Sequence, residues 1–129
     1  MRSILRRTGF GLLLTAVIAA CGGGGALGLA QAPASLDPNS PKVSARDSAF
    51  DTSEIDVAAN APFVLVFENK DDFDHNISIY TDDSASTRTF DGVVVRLGTR
   101  WYPVPALAPG RYYFRCDIHP DMHGHILAA

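Results

Sequence analysis

The side chains with the most chemistry to offer are Cys116, His119 and Met122, in the run Cys116-Asp117-Ile118-His119-Pro120-Asp121-Met122. The spacing is C-x-x-H-x-x-M, so a thiolate, an imidazole and a thioether fall within one tight turn. Pro120 argues against that turn being helix, because proline removes an N–H and clashes with the preceding turn. A second imidazole must come from elsewhere in the fold, and His75, in Phe73-Asp74-His75-Asn76-Ile77, is the candidate. Two histidines, one cysteine and a weak axial methionine form the trigonal site of copper centres that pass single electrons. Each residue also has a plainer use. A lone cysteine or methionine is usually core filler, and a lone histidine is usually a surface residue. The three types packed into one turn favour the metal.

His75 and Cys116 are far apart in the chain, so the fold must bring two distant strands together. The pattern from residue 42 onward supplies strands. Phe63, Leu65 and Phe67 alternate with Val64 and Val66, which predicts a strand over Pro62–Glu68 able to bury both faces. Ile77 and Ile79 repeat the period of two, and Val93–Val95 is β-branched. Asn60, Asn69, Asp91-Gly92, Gly98 and Pro109-Gly110 supply turns. Thr81–Thr89 is polar and reads as a loop or a single helical turn. No segment has a capped helical period. Many short strands with regular turns predict an all-β Greek-key β-sandwich. Leu107-Ala108-Pro109-Gly110-Arg111-Tyr112 resembles the tyrosine corner of such proteins, in which the hydroxyl bonds back to the backbone upstream. Tyr112, Phe114 and Cys116 would then point inward from one strand, and Tyr113 and Arg115 outward. Trp101 and Tyr102 read as core or edge packing. Asp71, Asp72 and Asp74 read as a solvated loop rather than a face for a cationic partner.

The segment around Cys116 resembles the C-terminal copper loop of the cupredoxins, the small type 1 (blue) copper proteins, with a spacing similar to that of amicyanin and pseudoazurin. The likeness runs from about Val43 to Ala128, and His75-Asn76 matches the upstream His-Asn pair of the family. A second cysteine in this loop would mark a binuclear centre, but position 120 is proline. The resemblance implies one copper ion cycling between Cu(I) and Cu(II), held by His75, Cys116, His119 and Met122. It implies that Asn76 steadies the loop and that its backbone donates toward the sulfur. Amicyanin-like loops often carry proline at the position of Ile118. Here the Ile118 N–H is free to act as a second donor, as in azurin. His119 matches the edge ligand that approaches the surface within an apolar patch.

The N-terminus reads as an export signal. Arg2, Arg6 and Arg7 precede the short apolar run Gly9–Ala20, which is too short to span a bilayer comfortably. Ile18-Ala19-Ala20-Cys21 resembles the bacterial lipobox, which implies lipid on Cys21. The alternative is an ordinary secretory signal with an incidental Cys21, and Arg6-Arg7 hints weakly at twin-arginine export. Residues 21–41, with four glycines directly after Cys21, read as a flexible Gly/Pro/Ala-rich tether. Residues 42–129 form the cupredoxin-like domain. With Cys21 acylated and Cys116 on a metal, no disulfide can form within the chain, which leaves the metal as the staple. Without the three signal arginines, eight Lys and Arg face 14 Asp and Glu, a net charge of −6. That acidity argues against nucleic acid as a partner.

Four protein ligands leave no open position for a reacting molecule, so the expected role is an electron carrier and not an enzyme. Its partner would be a redox protein, and the carrier would be a monomer of the cell envelope, held to the outer side of a bacterial membrane through Cys21. The other reading is an envelope copper-binding or copper-delivery protein. His123 and His125 could form a surface metal site, but read more simply as a solvated loop residue and an outward strand position.

Overall fold

The computed structural model describes residues 31–129, so the expected signal, Cys21 and the first part of the tether lie outside the described residues. Among the described residues, nine strands form two sheets packed face to face. The first sheet has the order β2-β1-β4-β7, from β1 (Lys42–Arg46), β2 (Ala49–Phe50), β4 (Phe63–His75) and β7 (Val95–Val104). The second has the order β3-β9-β8-β5-β6, from β3 (Glu54–Val57), β5 (Ser78–Tyr80), β6 (Arg88–Phe90), β8 (Gly110–Arg115) and β9 (His123–Ala128). β1 pairs parallel with β4 and β3 parallel with β9, while the remaining pairs are antiparallel. No helix occurs among the described residues. This is the all-β sandwich that the alternating pattern predicts.

The core lies between the sheets. Leu65 and Phe67 of β4, Tyr102 of β7, Phe114 of β8 and Ile126 of β9 are fully buried. Tyr102 stacks on Phe67 at 5.9 Å between ring centroids, and Phe50 of one sheet meets Phe114 of the other at 5.6 Å. Burying a side chain of this size contributes roughly 1.5–3 kcal/mol, so the sheets have a strong reason to close on each other.

Several local expectations shift. β4 runs on past Glu68 to His75, and β7 begins only at Val95, leaving Val93 and Val94 exposed. Thr81–Thr89 is a loop without a helical turn that ends in β6. Phe114 and Cys116 point inward as expected, with Tyr112 half-buried. Tyr113 was expected to point out, yet it is buried, because Tyr80, His123 and His125 pack around its ring on that face. The tyrosine corner forms, with the Tyr112 hydroxyl donating to Ala108 O at 3.0 Å.

Candidate metal centre

β4 carries the first donor residue. The alternation that buries Leu65 and Phe67 continues through Asn69 to Asp71, and after three exposed residues His75 is buried again. Between Asn69 and Asp74 the pairing with β7 slips: Asn69 faces Gly98, but Asp74 already faces Arg96. The extra residues arch out of the strand as a bulge, a device that re-aims side chains next to functional sites. Asn69 closes this arch from beneath. Its Nδ2 donates to Phe73 O (2.7 Å) and Val95 O (2.8 Å), and its Oδ1 accepts from the Asp71 N–H (2.9 Å).

Asp71 was expected in a solvated loop, but it is buried. Its carboxylate accepts from the Asp47 N–H (2.8 Å) and the Ser48 N–H (3.2 Å) in the β1–β2 turn, and from His75 Nε2 (3.0 Å). Burial pushes the Asp71 carboxyl up, but these donors offset it, and the pKa ends below its ordinary value. An ionised carboxylate only accepts hydrogen bonds. His75 Nε2 must therefore hold the proton, which leaves Nδ1 as a free lone pair. Asp72 and Asp74 are exposed, as expected for a solvated loop, and Asp72 pairs with Arg96 at 3.2 Å.

β8 and the loop after it carry the other donors. The Cys116 N–H donates to Met122 O and the Met122 N–H to His119 O, both at 2.9 Å, so the loop closes on itself. Cys116 Sγ lies 3.7 Å from His75 Nδ1 and 3.8 Å from His119 Nδ1, and the two nitrogens are 3.2 Å apart. A triangle with those edges has its corners about 2.1 Å from a common point. Bonds to a late first-row ion such as zinc run to ~2.0–2.1 Å for imidazole nitrogen and ~2.3 Å for thiolate. The donors are therefore spaced to share one ion without rearrangement. Among the described residues these are the only three His, Cys, Asp or Glu side chains whose ligand atoms cluster this closely, all within 4.8 Å. His75 and Cys116 are fully buried and His119 partly so. Met122 is buried at the end of the same loop.

Asn76 ties the halves together. Its Oδ1 accepts the Asp117 N–H at 2.8 Å, and its Nδ2 donates to Gly92 O at 3.0 Å and to Asp117 Oδ2 at 3.1 Å. The residue after His75 thus holds the residue after Cys116. Phe73 covers the donors from outside, with its ring 4.9 Å from His75 and 5.9 Å from His119. Ile118 is 45% exposed on the same loop. His123 is exposed, while His125 pairs with Asp83 at 2.8 Å, and neither joins the donor group.

Residues 16–128 match the family described as Cupredoxin-like domain. No curated protein matches in sequence. Among solved structures the chain is similar to auracyanin A of Chloroflexus aurantiacus, at 18% identity and a TM-score of 0.63, covering 70% of this chain and 98% of that one. It is also similar to amicyanin of Paracoccus versutus, at 18% identity and a TM-score of 0.57, covering 73% of this chain and 85% of that one. Auracyanin of Roseiflexus castenholzii matches at 19% identity with a TM-score of 0.57, covering 70% and 96%. At these identities the neighbours show a shared fold, and the family match spans nearly the whole chain: it belongs to the cupredoxin-like family.

Proposed function

We propose that this protein is a mononuclear type 1 copper electron carrier of the cell envelope. The observation that carries the reading is the buried triangle of one sulfur and two nitrogens, set by two sheets and spaced for one ion. Soft thiolate with two imidazoles is the donor set that suits copper, and auracyanin A is described as a "blue" copper protein. In this reading His75, Cys116 and His119 would hold the ion, with Met122 of the same loop as the fourth ligand. Copper bound there supplies a one-electron Cu(II)/Cu(I) couple. The chain's part is to keep the donors still: Asp71 fixes the His75 ring, and Asn76 fixes the start of the Cys116 loop. The Asn76 and Ile118 amides are the proposed backbone donors to sulfur.

The surface fits an exchange of electrons better than a reaction. Of the exposed large apolar side chains among the described residues, Phe73, Val93, Val94, Leu97 and Ile118 all lie on segments that carry or flank the donors, and only Leu127 lies elsewhere. Phe73, whose ring lies 5.9 Å from that of His119, and the exposed Ile118 of the same loop form the proposed contact for a redox protein. An ion held by four protein ligands would have no position left for a substrate, which favours a carrier over an enzyme. The carrier would be a monomer, exported and lipid-anchored through Cys21.

The test is the visible spectrum of the copper-loaded protein. An intense thiolate-to-copper band that bleaches reversibly on one-electron reduction is expected. A colourless protein that holds only Cu(I) would instead indicate copper delivery and overturn the carrier reading.

A further inference from the structure

The residue after Cys116 is the most heavily bonded carboxylate among the described residues. Asp117 Oδ2 accepts from Ser78 Oγ (2.6 Å) and Asn76 Nδ2 (3.1 Å) and lies 3.3 Å from an Arg88 nitrogen. Its Oδ1 accepts from the Tyr80 hydroxyl and lies 3.5 Å from Arg115 Nε. Arg88 and Arg115 both stand over the Tyr80 ring, at 5.4 and 5.0 Å, and Arg88 donates to the Tyr80 hydroxyl at 2.9 Å. Each of these groups can donate, so the carboxylate is held as an anion. The Asp117 N–H is tied to Asn76, the neighbour of His75. A fixed negative charge therefore sits one residue from the proposed copper thiolate and is paired with two cations, one of which, Arg115, directly precedes Cys116.

We propose that Asp117 lowers the reduction potential of the centre through its charge, and that Arg88 and Arg115 partly cancel this effect. The inference rests on the electron-carrier reading above. Reduction removes one positive charge from the centre. A nearby anion favours the more positive oxidised state, and a nearby cation the reduced one. The site is partly buried, so solvent screens these charges less than at the open surface.

The experiment is voltammetry on the copper-loaded full domain at one pH and ionic strength, with the visible band recorded for each protein. Asp117→Asn keeps the side-chain shape and is expected to shift the equilibrium about tenfold toward the reduced state, which is ~59 mV upward for one electron. Arg88→Gln, at a side chain that is 42% exposed, is expected to shift it downward. Opposite signs follow from charge, whereas a purely structural role would move both variants the same way. Unchanged potentials, or shifts of one sign, with the band intact would overturn the proposal. A native protein without the band would overturn the carrier reading instead.

Discussion

At the scale of single residues the centre depends on one sulfur. Cys116→Ser is expected to abolish the intense visible band while circular dichroism still reports a folded sheet, because a hydroxyl cannot supply the charge-transferring thiolate. A mutant that kept the band would remove Cys116 from the site. Asp71→Ala tests the neighbour of His75. Losing a partner that orients a metal-bound imidazole typically costs ten- to a hundredfold in affinity, and a competition titration of the metal-free proteins should show a loss of about that size. Ile118→Pro removes one proposed N–H from the sulfur. Donors to the thiolate disfavour Cu(II) more than Cu(I), so voltammetry should show a potential lower by on the order of tens of millivolts. An equal or higher value with the band in place would take the Ile118 amide out of the account. Cys116, His119 and Met122 stood out in the sequence because their contacts are local, with His75 as their one distant partner. Asp71 did not, since an Asp-Asp-Phe-Asp run looks like solvent-facing loop. Part of the signal was present in the alternation, since 65, 67, 69 and 71 are all buried, but the bulge breaks it before His75. What turns Asp71 into a partner is the β1–β2 turn, which supplies the Asp47 and Ser48 donors from 24 and 23 residues away. Asp117 was hidden for a similar reason, because its partners at 76, 78 and 80 lie on a different strand and the turn before it.

At the scale of elements the site is a meeting of the far end of β4 with the β8–β9 hairpin. The strands themselves were legible from their period of two, but their ends were not. Val93 and Val94 look like strand by type, yet they stay outside it, exposed just before Val95, the β7 residue that pairs with His75. The bulge in β4 had no local signature either, since it depends on the Asn69 side chain reaching Val95 O across the sheet. The hairpin holds a close approach that can be tested. Gly124 pairs opposite Phe114, and a Cβ added there would lie 2.6 Å from both Phe114 Cζ and Ser53 O. Phe114 is fully buried and has nowhere to move. Gly124→Ala should therefore destabilise the domain by roughly 1–3 kcal/mol, the usual cost of overpacking a core. A urea titration should show this as a lower midpoint with an unchanged slope. An unchanged midpoint would mean that β9 has slack which the close contact does not suggest.

At the scale of the whole molecule, the two ends of the sandwich differ. β4 starts at Phe63 and ends at His75, so the donors lie at one end of the strand. At its other end, Ser40 and Pro41 line a cavity of about 740 Å3 together with Pro62, Phe63, Pro103 and Val104. The Pro41 carbonyl accepts the Val66 N–H at 2.9 Å, which pins the chain as it enters β1. Anything attached before residue 35 therefore joins the domain at the end away from the donors. An anchor on Cys21 would then attach to the domain at the end away from His119, so the attachment itself would not cover the donors. The sequence carried the motif for such an anchor but not this placement, which depends on where β1 begins relative to β4. The proposed anchor has a direct test in a bacterium that processes lipoproteins. The native chain should fractionate with membranes and show the added mass of acyl chains on Cys21, since two or more chains hold a protein stably at a bilayer while one holds it marginally. Cys21→Ser should move the protein out of the membrane fraction yet leave the visible band unchanged, because residue 21 lies far along the chain from every proposed ligand. An unmodified Cys21 in the mature native protein, or a serine variant still held in the membrane fraction, would rule the lipid anchor out.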